Sequence, residues 1–276
     1  MPNGQLFIVA TPIGNLADIT FRAVETLKAV DAIAAEDTRC SGKLLQHYGI
    51  DTPMLALHEH NEASRSEVLL KRLQNGEDIA LISDAGTPLI SDPGYRLVLR
   101  LRQAGIRITP IPGASSVLAA LCAAGLPTDH FRFAGFLPRS GKARSKELKR
   151  IAGSDETTVL LESPRRLSAT LHDLETLLDD TREVAVAREL TKLFEEFVSG
   201  SLADVSAHFE QHAARGEIVL MIGPASERAV ALTDQEILNC LNSVPMQSLP
   251  PSARARAVAN TLDVPRPRVY ALMVSD

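Results

Sequence analysis

Ile79-Ala80-Leu81-Ile82-Ser83-Asp84-Ala85-Gly86-Thr87-Pro88-Leu89-Ile90-Ser91-Asp92-Pro93-Gly94 decides how this chain is read. An apolar run, Ile79 to Ile82, ends abruptly in a loop of Asp, Gly, Thr, Pro and Ser. In an open α/β sheet a ligand sits just beyond the carboxyl end of such a strand. A plain connection needs only a few residues to turn. This one uses about a dozen small, polar or conformationally special residues, so that backbone amides and short side chains can approach a ligand. The bland alternative is a long surface loop.

The same pattern repeats on either side. Leu6 to Ala10 reads as a strand opening into Thr11-Pro12-Ile13-Gly14-Asn15, and Thr20 caps a helix carrying Phe21, Val24, Leu27 and Val30 at helical spacing. Ala32 to Ala35 is the next strand, followed by a helix through Leu44 and Leu45 and a weak strand near Met54 to Leu57. A helix over Glu62 to Gln74 stops at Asn75-Gly76. After the opening stretch come a helix near Tyr95 to Gln103, a strand from Ile106 to Ile111 and a small-residue helix from Val117 to Ala124. Alternating strands and helices predict a parallel sheet with crossover helices.

Beyond this point the rhythm changes. Strands are expected at Phe131 to Phe136, Thr158 to Leu161, Val184 to Ala187, Glu195 to Gly200 and Ile218 to Ile222, with helices near Pro164 to Leu178 and Ala203 to Ala213. Consecutive strands allow hairpin pairing, so this sheet should be mixed. After Gly223-Pro224, three short helices are expected at Asp234 to Leu241, Ser252 to Leu262 and Arg266 to Val274; the last two loosely resemble a helix-turn-helix unit. The expected division is an α/β domain over 1–112, a second over 113–229 and a helical appendix over 230–276.

With 276 residues, 45% apolar and 23% charged, the composition is that of an ordinary globular protein. No run of about 18 apolar residues and no signal-peptide pattern occurs, so a cytoplasmic protein without membrane insertion is expected. Cys40, Cys122 and Cys240 lack metal spacing and read as reduced thiols. A net charge of −5 excludes a chain that is basic throughout, yet Arg139, Lys142, Arg144, Lys146, Lys149 and Arg150 face only Glu147 within their segment. Arg254, Arg256, Arg266 and Arg268 form a second basic patch. Such patches either engage a polyanion or are solvated surface.

The motifs exclude several chemistries. Neither a Gly-x-Gly-x-x-Gly fingerprint nor a Gly-x-x-x-x-Gly-Lys-Ser/Thr loop is present, which disfavours nicotinamide oxidoreductases and nucleotide triphosphatases. Gly-x-Ser-x-Gly is also absent, disfavouring covalent catalysis by serine. Ala35-Glu36-Asp37-Thr38-Arg39 can orient a ligand or shift a pKa, or can be a helix cap with a surface ion pair. His58-Glu59-His60-Asn61-Glu62 places two imidazoles on one face, but no third metal ligand stands at useful spacing, so no metal is expected. Pro112-Gly113-Ala114-Ser115-Ser116 offers helix-start amides and two hydroxyls to a carboxylate or ribose. Glu162-Ser163-Pro164-Arg165-Arg166 has the same placement, with arginines for phosphate or solvent.

Six segments in order, Val9 to Leu16, Ala35 to Arg39, His58 to Glu62, Ser83 to Gly94, Pro112 to Ser116 and Glu162 to Arg166, resemble the S-adenosylmethionine-dependent tetrapyrrole methylase superfamily, and within it members that act on small-subunit rRNA. The resemblance covers about residues 5–225. It implies two α/β domains of the tetrapyrrole methylase type with the cofactor cleft between them, plus a small C-terminal helical appendix. It further implies that S-adenosyl-L-methionine methylates the ribose 2′-hydroxyl of a cytidine in the decoding region of small-subunit rRNA, naked or in the 30S subunit, and that the protein is a homodimer. Carried over by position, cofactor contacts are expected from Ala10, Pro12, Asp84, Gly86, Thr87, Ile90, Ser115, Ser116 and Leu161. Members of the superfamily that methylate tetrapyrroles or the diphthamide precursor usually have Gly-Asp-Pro where this chain has Gly86-Thr87-Pro88. Glu36, Asp37 and His58 are candidates for a base or for positioning the hydroxyl, with Arg39 as electrostatic partner. Arg139, Lys142, Arg144, Arg165 and Arg166 are candidates for contact with RNA, and the segment from Pro138 to Arg150 is expected to order on binding. Two alternatives stay open: methylation of a tetrapyrrole, and a non-enzymatic RNA-binding protein.

Overall fold

The computed structural model describes residues 2–58, 61–179, 181–225, 234–243, 246, 249–262, 264 and 266–274. The chain forms two compact units, Met1–Pro224 and Ala225–Asp276.

The first unit contains two five-stranded sheets. In the first, β1 (Gln5–Val9), β2 (Ala32–Ala35), β3 (Met54–Ala56), β4 (Ile79–Ile82) and β5 (Arg107–Ile111) run parallel in the order β3-β2-β4-β1-β5. The crossover helices are α1 (Phe21–Ala29), α2 (Thr38–His47), α3 (Glu62–Gln74) and α4 (Tyr95–Gln103). Alternate residues of each strand enter different cores. Ile33, Ala35, Ala80 and Ile82 pack with Ala23 and Leu27 of α1 and Leu45 of α2. Ala34, Ile79 and Leu81 pack with Leu69 and Leu73 of α3 and Leu97 and Leu101 of α4. Cover on both faces is why these strands are apolar at every position rather than at alternate ones. Each fully buried leucine contributes about 1.5–3 kcal/mol.

Local caps set the helix starts. Thr20 accepts a hydrogen bond from the Ala23 amide, as its place before the apolar repeat predicts. At α4 the N-cap is Gly94, which has no side chain; the buried Glu62 of α3 instead accepts from the Leu97 amide at 3.2 Å. That bond also ties α3 to α4 behind the loop of residues 83–94.

After β5 the chain enters α5 (Ser116–Ala123) and builds the second sheet from β6 (Phe131–Phe136), β7 (Thr157–Glu162), β8 (Glu183–Arg188), β9 (Glu196–Ser201) and β10 (Ile218–Ile222). Its order is β6-β7-β10-β8-β9; β6 and β7 are parallel and the other pairs antiparallel, so the sheet is mixed. One face packs against α6 (Gly141–Ala152), α7 (Pro164–Glu175) and α8 (Leu202–Gln211). The other meets Val117, Ala120 and Leu121 of α5, together with Ile13 from the loop after β1. The expected change of domain at 112/113 thus falls between two separate sheets, although both lie within one compact unit.

The segment expected to order only on binding is corrected: residues 141–152 form α6. Charge alone misleads there, because Leu148 and Ile151 give the helix a buried stripe and Gly153 follows its last turn.

The second unit holds α9 (Asp234–Leu241), α10 (Pro251–Leu262) and α11 (Arg266–Val274) around Ile237, Leu241, Ala255, Val258 and Val269. Arg268 pairs with Asp234 at 2.8 Å. The expected boundary at 229/230, and residues 263 and 265 of the helix-turn-helix-like stretch, lie outside the described residues. Among the described residues no helix is long and apolar enough to cross a membrane.

Candidate functional site

In the parallel sheet, β1, β2, β4 and β5 release their loops at one edge, and hydrogen bonds lace those loops together. Thr11 and Gly86 exchange backbone hydrogen bonds of 2.9 and 3.0 Å, and the Thr11 hydroxyl donates to the Ser83 carbonyl. Gly86 has φ of 77°, a conformation open to glycine at little cost. Further along the loop, Leu89 and Ser91 hold φ of 76° and 69° without being glycine. Such conformations are stored where surrounding structure over-determines them, commonly at ligand sites. Between and after them, Ile90 and Asp92 line a cavity.

Thr87 donates its hydroxyl to the Ala114 carbonyl at 3.2 Å. This clasp joins the loop after β4 to the loop after β5. An aspartate there would set a carboxylate against a carbonyl oxygen. Thr87→Val removes only the donor and is expected to weaken cofactor binding about 5- to 10-fold, the worth of one neutral hydrogen bond. Isothermal titration would show it, and an unchanged affinity would remove the clasp from the site.

Two adjoining cavities open along this edge. The smaller, about 40 Å³, is lined by Gly86, Thr87, Ile90, Ser115, Ser116 and Leu161, six of the nine residues expected to hold the cofactor. The larger, about 380 Å³, shares Ala85, Ile90, Ser116 and Leu161 with it. Of the other three expected residues, Ala10 and Pro12 are buried at the end of β1, and Asp84 is exposed, accepting a hydrogen bond from the Asp37 amide. The larger cavity has an apolar wall of Ile13, Leu190, Ile218 and Val219 and a polar wall including Asp92, Glu162, Ser163 and Glu217. Among the described residues, no Lys, Arg or His lines it. This donor set suits S-adenosylmethionine: apolar surface for a purine, hydroxyls and helix-start amides for ribose and carboxylate, and negative charge near a sulfonium.

The catalytic candidates fall at the margin. Asp37 is the N-cap of α2, accepting from the Arg39 amide at 2.8 Å and pairing with the exposed Arg39 guanidinium. Those bonds hold its carboxyl down at about 2. Glu36 is pushed up, chiefly by burial and then by Asp92, Asp84 and Asp37. The His58 amide donates to Asn61, and its ring lies 3.1 Å from the Asn61 amide nitrogen. None of the four lines the larger cavity. Glu59 and His60 of the two-imidazole motif lie outside the described residues. Among the described residues no group of three His, Cys, Asp or Glu side chains could hold a metal ion.

Residues 5–206 match the family model described as Tetrapyrrole (Corrin/Porphyrin) Methylases. The chain belongs to this family. Among curated methylases, the ribosomal RNA small subunit methyltransferase I of Synechocystis sp. is 47% identical over 98% of this chain and 97% of its own length. The protein of that name from Escherichia coli O157:H7 is 51% identical over 79% of this chain and 77% of its own. Among solved structures, a cobalt precorrin-4 methyltransferase shares the fold at a TM-score of 0.62 and 18% identity, covering 79% of this chain and 94% of that one. A uroporphyrin-III C-methyl transferase from Thermus thermophilus, complexed with S-adenyl homocysteine, matches at 0.56 and 18%, covering 80% and 97%.

The arginines named as candidates for RNA contact divide into two groups. Arg144 is inward-facing, its side chain 11% exposed; it pairs with Asp173 and donates to the Thr170 hydroxyl and the Pro138 carbonyl. Arg166 donates to the Leu137 and Pro138 carbonyls and lies 3.5 Å from the Glu162 carboxylate. Both hold the turn after β6 in place. Arg139, Lys142 and Arg165 are exposed. Lys146, Lys149 and Arg150 of the same basic run align with Lys142 on one solvent face of α6. Asp92 and Glu162 stand in two of the segments singled out in the sequence, Ser83 to Gly94 and Glu162 to Arg166, though not among the expected site residues, and both line the larger cavity.

Proposed function

We propose that this protein transfers the methyl group of S-adenosyl-L-methionine to the ribose 2′-hydroxyl of a cytidine in the decoding region of 16S rRNA. The observation that carries the reading is the convergence of Gly86, Thr87, Ile90, Ser115, Ser116 and Leu161 on one cavity that opens into a larger one. The relatives at 47% and 51% identity, which bear a small-subunit rRNA methyltransferase name, support RNA over a tetrapyrrole as the acceptor. The substrate is the rRNA or the 30S subunit, and the protein acts as a homodimer.

Bound S-adenosylmethionine supplies an already activated methyl group, so positioning carries much of the acceleration; it can supply ~7–11 kcal/mol. In this reading the six residues of the smaller cavity hold the cofactor, Ala10 and Pro12 shape its floor, and Asp84 braces the loop after β2. Glu36, the α2 cap Asp37 and Arg39 in the first turn of α2 border the acidic side, with His58 just past the end of β3. Arg139, Lys142 and Arg165 meet RNA phosphate directly, while Arg144 and Arg166 act by holding the turn between β6 and α6.

Ribose-methylation maps of small-subunit rRNA from cells with and without this gene test the proposal. One 2′-O-methylcytidine in the decoding region should disappear with the gene and return with it; identical maps would defeat the proposal. A labelled-methyl assay offering 30S subunits or a porphyrinoid separates the two acceptors.

A further inference from the structure

Three carboxylates line the larger cavity, and two of them are already committed. Glu162 has both oxygens in use, one accepting from the Ser163 amide and the other from the Thr170 hydroxyl, each at 2.8 Å. Glu217 is 74% exposed and paired with Lys192. Asp92 is half-buried, and the neighbouring Ser83 hydroxyl donates to the Ala85 carbonyl. It stands on the loop whose positive-φ residues, Leu89 and Ser91, also place Ile90 against both cavities. The Ser91 hydroxyl lies over Gly135, at the bulge where β6 shifts register, so the second sheet backs this part of the loop.

We propose that Asp92 is the proton acceptor for the hydroxyl that is methylated. This rests on the reading of the protein as a ribose methyltransferase and adds a residue outside the group Glu36, Asp37, Arg39 and His58. The hydroxyl O–H bond breaks and its proton passes to an Asp92 oxygen. The hydroxyl oxygen takes the methyl group, the carbon–sulfur electron pair returns to sulfur, and Asp92 then releases the proton to water.

The electrostatic surroundings suit that task. Burial pushes the Asp92 carboxyl above its ordinary range, Asp84 pushes it further, and the Ser83 hydroxyl opposes them. Glu36 and Asp84 face it from the first sheet's loops, with Asp37 beyond them paired to Arg39; Glu162 and Glu217 line the same cavity. Among the described residues no Lys, Arg or His side chain lines the cavity to hold it ionised, so Asp92 becomes a better base than an ordinary surface aspartate. A base must be deprotonated to act, so kcat should fall as pH drops through this raised value.

The test compares wild type with Asp92→Asn on 30S subunits across pH, alongside a carboxyl-carbon NMR titration of the wild-type protein. D92N should lower kcat about 10²- to 10⁴-fold and abolish the acid limb. KM for the subunit should stay within about threefold. In wild type, the Asp92 carboxyl should titrate above the ordinary aspartate range and coincide with the limb. A D92N turnover within fivefold of wild type overturns the proposal, as does an Asp92 titration in the ordinary range or a limb abolished by Glu36→Gln instead. The NMR readout stands even if D92N folds poorly. Wild type inactive on 30S would overturn the ribose-methyltransferase reading and this one with it; an active wild type with an indifferent D92N overturns this one alone.

Discussion

Replacing Lys142, Lys146, Lys149 and Arg150 together by glutamine is expected to flatten the salt dependence of rRNA binding. At 100° per residue these four side chains fall on one side of α6, opposite Leu148 and Ile151, which are buried. The segment's acid, Glu147, is not available to them, because it pairs with Arg132 of β6. No ion pair to any of the four occurs among the described residues, so the face is uncompensated. Each phosphate that is no longer neutralised should reduce the slope of log K against log salt by about 0.9 on duplex RNA and about 0.7 on single strands. Four such phosphates correspond to roughly a 100-fold loss of wild-type affinity between 50 and 200 mM salt that the variant should not show. Lys142 with Lys146, and Lys146 with Arg150, are like-charge i,i+4 pairs, each costing the helix about 0.2–0.5 kcal/mol. The variant should therefore melt no lower than wild type, which separates weakened binding from impaired folding. Arg144→Gln is the contrasting control: it should lower stability through Asp173 and Thr170 while leaving the slope unchanged. Equal slopes for wild type and the quadruple variant would remove α6 from the RNA surface.

Sequence and structure agree best where one physical signal dominates. Ile79 to Ile82, Ala32 to Ala35 and Ile218 to Ile222 are strands at the expected bounds, since a run that is apolar at every residue has few other places to go. Glu62 to Gln74 is likewise legible, with its apolar spacing and its Asn75-Gly76 stop. The cofactor wall is legible as a set of strand ends, because a parallel sheet brings all its carboxyl ends to one edge. Side-chain direction is not. Arg144 and Lys142 look alike in a basic run, yet the helix turns one toward Asp173 and the other toward solvent. Asp37 reads in the sequence either as a catalytic carboxylate or as a helix cap; it caps α2, a role that depends on where that helix begins. Asp92 lies within the stretch that decides the reading, but its place in the cavity depends on two residues in a left-handed backbone, a state that leucine and serine do not announce. Glu162 stands out by its strand-end position, but its partners Thr170 and Arg166 are visible only once α7 packs across β7.

Glu162 is the residue whose loss should cost the fold most for one carboxylate. It ends β7 with a side chain 1% exposed, and it is the hub of a buried polar chain. Thr170 donates to it and accepts from Arg144, which in turn pairs with Asp173; Arg166 stands 3.5 Å away and donates to the Leu137 carbonyl. Removing an ionised acceptor leaves the Ser163 amide and the Thr170 hydroxyl without their partner in the interior. Hydrogen bonds to charged groups are worth about 1.5–3 kcal/mol each, so Glu162→Ala is expected to destabilise on the order of 3 kcal/mol. Glu162→Gln keeps the shape and one acceptor, and should lose less than half as much. Urea denaturation at pH 7 reads both. Thr170→Val breaks the same chain from its middle, so combining it with Glu162→Ala should be non-additive by about 0.5–3 kcal/mol. Simple addition of the two effects would mean that the residues do not act as one network. The functional consequence follows from geometry: Arg144 and Arg166 converge on the Leu137-Pro138 turn, and Phe136 immediately before it is 57% exposed on the wall of the larger cavity. Loosening that turn should raise KM for the 30S subunit more than it changes S-adenosylmethionine affinity, because Leu161 and the loops of the parallel sheet, not the turn, line the smaller cavity.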